Sequence, residues 1–133
     1  MHNIAIQLFC LRLFAHRAHH DTQGDTFFSD HKEFGKFYEA YDGEYDSVVE
    51  RMLGLGDKVD LAKLNSTGAE KASVHPNEHD PKKLFAILMS GEKALCTLCT
   101  SAMKSASEGT KNLLAQICDN SEQRQFLMKK RLA

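Results

Sequence analysis

Apolar residues recur along this chain in alternating steps of four and three. The series are Ile4, Leu8, Leu11, Ala15, Ala18; then Phe34, Tyr38, Tyr41, Tyr45, Val48, Met52; then Leu84, Leu88, Gly91, Leu95, Leu98, Ala102. That stepping holds side chains on one stripe of an α-helix, and such a stripe is stable only when other helices cover it. Phe9, Leu13 and Phe14 widen the first stripe, as in a helix that faces both a bundle core and a second subunit. The pattern therefore predicts an all-α chain whose long helices pack on one another.

Local signals set the expected boundaries. The first helix runs over 3–20, followed by a loop at 21–28 that contains Gly24. The second is expected to start at Ser29 or Asp30, with Asp30 and Glu33 spaced as a capping box, and to stop at Gly54 and Gly56. A polar connection over 57–80 follows, holding Gly68, His75 and Pro76, with one short helix expected around 57–64. A connection this long lets the next helix run parallel to the second instead of folding straight back. Asp80-Pro81 supplies a cap and a first-position proline. Gly109-Thr110 is expected to cap the last helix, which carries Leu113, Leu114, Ile117, Phe126 and Leu127 and ends at Lys129-Lys130-Arg131. Four long helices with one long crossover describe a ferritin-like four-helix bundle.

A chain of 133 residues is read as one domain, 1–133, large enough for a core without disulfides. Its net charge of −1 provides no general basic field for nucleic acid. The four cysteines do not form a secreted disulfide framework, so reduced thiols are expected. The apolar run at 4–15 is interrupted by Gln7 and Arg12, lacks a basic segment before it and is too short to span a bilayer. A soluble protein without a membrane partner is the expectation.

The residues suited to metal chemistry are His19, His31, Asp46 and Glu50. Asp46 and Glu50 lie one turn apart on one face of the second helix, and Asp42 extends that stripe. His31 precedes Asp46 by 15 residues. At ~1.5 Å per residue that separates them by roughly 22 Å along the axis, whereas a metal–ligand bond spans about 2 Å. His31 cannot share an ion with the acids of its own helix. His19 can join His31 across the loop, and a two-fold partner with an antiparallel second helix can bring its acids to them. Mixed imidazole and carboxylate ligands suit Fe(II), and zinc accepts the same set as a substitute.

The spacing H-x4-G-x6-H, formed by His19, Gly24 and His31, is followed by D-x3-E-R at Asp46, Glu50 and Arg51 and by LGLG at 53–56. With GTKNLLAQI at 109–117, this resembles the Dps family, the ferritin-like DNA-protection proteins of starved bacteria, over most of the chain. The resemblance implies a homo-oligomer, a dodecameric hollow shell built from two-fold dimers. It implies a ferroxidase site made by His19 and His31 of one subunit with Asp46 and Glu50 of its neighbour. Iron would be oxidised there, usually by hydrogen peroxide, and stored as ferric mineral, protecting against oxidative damage in a cytoplasmic or nucleoid-associated setting. Two positions depart from the family. Gly35 stands where an acid usually follows the second histidine by four residues, and His20 stands where Trp is common. Asp21, Asp25, Asp30 and Glu39 are the nearby acids that could take the missing role. A shell-forming or DNA-associated protein with weak or lost ferroxidase activity is the alternative.

Other features are assigned ordinary roles. Cys96 and Cys99 form a CxxC at core-type spacing, without the helix N-terminus or βαβ setting of a redox motif, and are read as buried small residues. His75 and His79 are read as parts of a polar loop, and His16 and His20 as poorer ligand candidates than His19. The basic end at 129–131 complements a helix dipole, so DNA contact is expected to be weak. There is no ExxH pair of the kind that places a metal within one bundle.

Overall fold

The structure, a computed structural model, describes residues 1–75 and 77–133. It is all-α: five helices and, among the described residues, no strand. They are α1 (His2–Asp21), α2 (Phe27–Gly54), α3 (Leu61–Ala72), α4 (Pro81–Met103) and α5 (Glu108–Leu132). Side-chain pairings fix their directions. His19 meets His31 and Arg12 meets Asp42, so α1 and α2 are antiparallel. Phe34 stacks on Phe85 and Tyr41 reaches Glu92, seven residues further on in both helices, so α2 and α4 run in the same sense. Glu92 meets Ser121 and Cys96 meets Cys118, which sets α5 antiparallel to α4. The short α3 packs on α1 within the crossover. A Cβ at Gly68 would lie 2.8 Å from Phe9 and 3.1 Å from the Ile6 carbonyl, so the close approach of these helices requires glycine there.

The expected stripe of α1 is buried in full, joined by Ala5, Gln7 and Phe14. On α2 the buried row is Phe34, Phe37, Tyr41, Val48, Val49 and Met52, with Tyr38 and Tyr45 half-buried at its edge. α4 is the one helix among the described residues long and apolar enough to cross a membrane. Its buried row nevertheless includes Glu92 among Leu84, Phe85, Leu88, Leu95 and Cys99, as befits a helix packed inside a protein.

Several expected boundaries are corrected. α2 begins at Phe27, not at Ser29 or Asp30, and the proposed Asp30–Glu33 capping box does not form. Asp30 sits a full turn inside the helix, buried, where it accepts hydrogen bonds from Thr26 Oγ1 at 2.6 Å and from Arg131 Nε and Nη2 at 3.0 Å. The tertiary partner Arg131 wins over the local capping role. The short helix spans Leu61–Ala72 rather than 57–64, because Asp60 caps it by accepting from the Lys63 amide at 3.1 Å. Gly68 is therefore helical, and Pro76 lies outside the described residues. Asp80 caps α4 as expected, whereas Ser107 rather than Gly109-Thr110 caps α5.

The largest departure is the face of α5. Phe126 and Leu127 are exposed, while Thr110, Ser121, Arg124 and Met128 are buried with Leu114 and Ile117. Thr110 is held by Arg51 and Ser107, while Ser121 and Arg124 are drawn in by Glu92, which is fully buried. Its carboxylate accepts from Tyr41, Ser121 and Arg124, and Arg124 also forks onto Glu44 at 2.8 and 3.0 Å. The Arg124 guanidinium lies 4.8 Å from the Tyr41 ring centroid. Burial, then the charge of Glu92, pushes the Tyr41 phenol well above its ordinary pKa, keeping it a donor.

Two stability outcomes follow from these buried charges. Glu92→Ala leaves Arg124 with Glu44 alone and the buried Tyr41 hydroxyl without its acceptor, and should cost about 2–4 kcal/mol in urea unfolding. Burial alone would raise the Asp30 carboxyl, but hydrogen bonds from Arg131 and Thr26 outweigh it and set its pKa below the ordinary value. That depressed pKa contributes stability that is complete above about pH 4 and is lost as pH falls through the lower folded value. Asp30→Asn should lower stability at neutral pH by about 1–3 kcal/mol and shrink the acid-induced loss seen in the wild type.

Candidate metal centre

The antiparallel α1–α2 hairpin brings His19 and His31 face to face. Their rings stack with centroids 3.7 Å apart and planes 18° apart. His19 Nδ1 lies 2.6 Å from the His31 carbonyl oxygen, and His31 Nδ1 lies 2.6 Å from the His19 carbonyl oxygen. A carbonyl oxygen only accepts, so each Nδ1 carries the hydrogen, and in the neutral ring each Nε2 keeps its lone pair. Donation from the other ring nitrogen to a carbonyl is also how metal-binding histidines are usually oriented. The rings are half-buried, flanked by Phe27 at 5.0 Å from His31 and by Tyr38 at 5.6 Å from His19.

Asp46 and Glu50 lie further along α2 on its exposed surface, and among the described residues neither makes an ion pair or side-chain hydrogen bond. The chain thus brings the two histidines together and leaves the two acids apart from them. No group of three or more His, Cys, Asp or Glu residues converges on one ion among the described residues. Asp42, on the same stripe, is committed to Arg12 at 2.8 Å.

Gly35 has a packing role that its position in the sequence did not reveal. The His19 ring lies over it, and a Cβ there would stand 3.1 Å from both Cε1 and Nδ1. The ring occupies the space through which a side chain at 35 would leave the helix. Of the acids that could substitute for one at 35, Asp30 is spent on Arg131, while Asp25 and Glu39 are exposed. Asp21 receives His79 Nδ1 at its backbone carbonyl, 2.8 Å away, which ties the start of α4 to the end of α1.

Two further imidazoles border the pair. The His20 ring is 5.1 Å from His19, and His16 is 4.8 Å from His20. Desolvation, followed by the neighbouring charges of His20, Arg12 and His19, holds His16 below its ordinary pKa. The cysteines are free; Cys99 is buried and Cys96 and Cys118 are half-buried. Burial pushes the Cys99 thiol up to about 12, so it stays protonated and inert, in line with its reading as a core residue.

Gly35→Ala should displace the His19 ring by a few tenths of an ångström and shift its Nδ1–H resonance, with a net stability change within about 1 kcal/mol because alanine's helix propensity offsets the overpacking. Imidazole NMR and urea unfolding measure both effects. A scan against protein-family models and a search of curated proteins each gave no match.

Proposed function

We propose that this chain is a Dps-like, ferritin-like ferroxidase that oxidises Fe(II) at sites shared between two-fold-related subunits and stores Fe(III) inside a hollow shell. The observation that carries the reading is the reciprocal His19–His31 pair, whose Nδ1 hydrogens are spent on carbonyls and whose Nε2 lone pairs remain for a metal. The sequence spacing H-x4-G-x6-H with D-x3-E supports it. So does the parallel arrangement of α2 and α4 across a long crossover, as in ferritin-like bundles.

In this reading the substrate Fe(II) is held by His19 and His31 of one subunit and by Asp46 and Glu50 of the next. Imidazole nitrogens hold the ion in place, and the carboxylates compensate its charge, more so as it becomes Fe(III). Hydrogen peroxide takes one electron from each of two Fe(II) ions, its O–O bond breaks, and it leaves as two hydroxides. Asp46 and Glu50, exposed and without ion-pair or side-chain hydrogen-bond partners among the described residues, are available to a neighbour. Protection of DNA then comes from removing iron and peroxide. Direct contact is weak, because Arg131 is engaged by Asp30 and only Lys129 and Lys130 of the basic end stay fully exposed.

The second reading, a shell-forming or DNA-associated protein with weak ferroxidase activity, is favoured by one observation. Gly35 supplies no acid, and the His19 ring fills the space beside it.

Peroxide-driven Fe(II) oxidation should fall to the buffer rate in His31→Ala and in Glu50→Ala. Equal rates for wild type and both variants would sink the ferroxidase. Mixing the two inactive variants should restore part of the activity, because one kind of shared site regains both histidines and both acids. Light scattering should give an oligomer; a monomer of 15.0 kDa would contradict a shared site.

A further inference from the structure

His16 and His20 are four residues apart on α1, so their side chains leave the same face one turn from each other. Their ring centroids are 4.8 Å apart with planes inclined at 57°, and both residues are exposed. Two histidines in this i,i+4 relation can close on one transition ion, the geometry used by the paired histidines of helical zinc motifs. Three surroundings favour a cation here. The pair occupies the last turns of α1, which ends at Asp21, and a helix C-terminus carries partial negative charge. Arg12, whose charge reaches His16, is offset by its ion pair with Asp42, and Arg17 donates to the carbonyls of Ala72 and His75. The His16 ring rests on Tyr38 with centroids 4.5 Å apart, which limits its rotamers and lowers the entropy lost when it is fixed.

We infer that His16 and His20 form a second transition-metal site, a two-imidazole chelate beside the His19–His31 pair, for divalent ions that favour nitrogen ligands, with water in the remaining positions. Two protein ligands accord with the absence of any three-residue convergence among the described residues. His20 lies 5.1 Å, ring to ring, from His19, so an ion held here is next to the first pair. Both proposed ligands lie on α1, and the inference stands whether or not the chain oxidises iron.

Ni(II) titration of the chelator-stripped full chain by calorimetry tests it, with Cu(II) electron paramagnetic resonance as a second readout. His16→Gln with His20→Gln should remove one Ni(II) site per chain and the nitrogen couplings of the corresponding Cu(II) signal. Each single substitution should weaken that site by about tenfold or more, because chelation is lost. His2→Gln, an exposed control at the opposite end of α1, and His31→Ala should leave it in place. Circular dichroism should be unchanged in the glutamine variants, since both positions are exposed. Wild-type stoichiometry and affinity in the double variant would overturn the inference, as would single variants that bind as tightly as the wild type.

Discussion

The buried carboxylate of Glu92 organises the centre of this protein. Inserting a charge into an apolar helix row is costly unless every oxygen finds a donor. Here Tyr41 from α2 and Ser121 and Arg124 from α5 provide them, and Glu44 takes the remaining face of Arg124. Three helices are thereby tied at one level. Purely apolar helices can slide by a turn at little cost, whereas a register shift here would strand two acids and a guanidinium. The direction of α2 relative to α4, and hence the course of the crossover carrying α3, is consistent only with that register.

From this anchor the geometry passes to the α1–α2 hairpin. Arg12–Asp42 and the tilted Phe9–Tyr45 pair hold its middle, and the histidine rings close its end. A second clamp, Asp30 with Arg131 and Thr26, fastens the start of α2 to the end of α5. His31 directly follows Asp30, so the tie that replaces a helix cap also fixes the backbone whose carbonyl meets the His19 ring. The candidate centre is thus built on two helices whose relative position is set elsewhere in the bundle.

Much of this was legible in the sequence, and the failures have a common cause. The four-three stripe of α1 located its share of the core in full, because burial follows periodicity when a row is uniformly apolar, whereas on α2 and α4 Tyr38, Tyr45, Gly91, Leu98 and Ala102 are half-buried and Phe37, Phe85, Glu92 and Cys99 lie deeper. The row of α5 mixes Thr110, Ser121 and Arg124 with its aliphatics, so hydropathy favoured Phe126 and Leu127, which are exposed. Nothing local distinguishes Arg124 from a surface arginine; its partners lie on two other helices. Asp30 misled in the same way, with a good capping position outweighed by a partner 101 residues away. At the centre, spacing allowed His19 to join His31 across the loop, and the family resemblance singled His19 out from His16 and His20. Neither gave the crossed ring-to-carbonyl bonds, which depend on the hairpin register, and the resemblance registered Gly35 as a missing acid when the position also makes room for a ring.

The crossed bonds also bear on the order of events as the protein matures. His19 and His31 are separated by one short loop, and each is oriented by the other's backbone. Local contacts of this kind form early, at small loop-closure cost. Both histidines of the candidate centre are therefore oriented within one chain, by contacts across a single hairpin that the rest of the bundle then holds in register. In the proposed shared site, a partner would add a second half to ligands already in place, so metal loading and assembly would be free to proceed in either order.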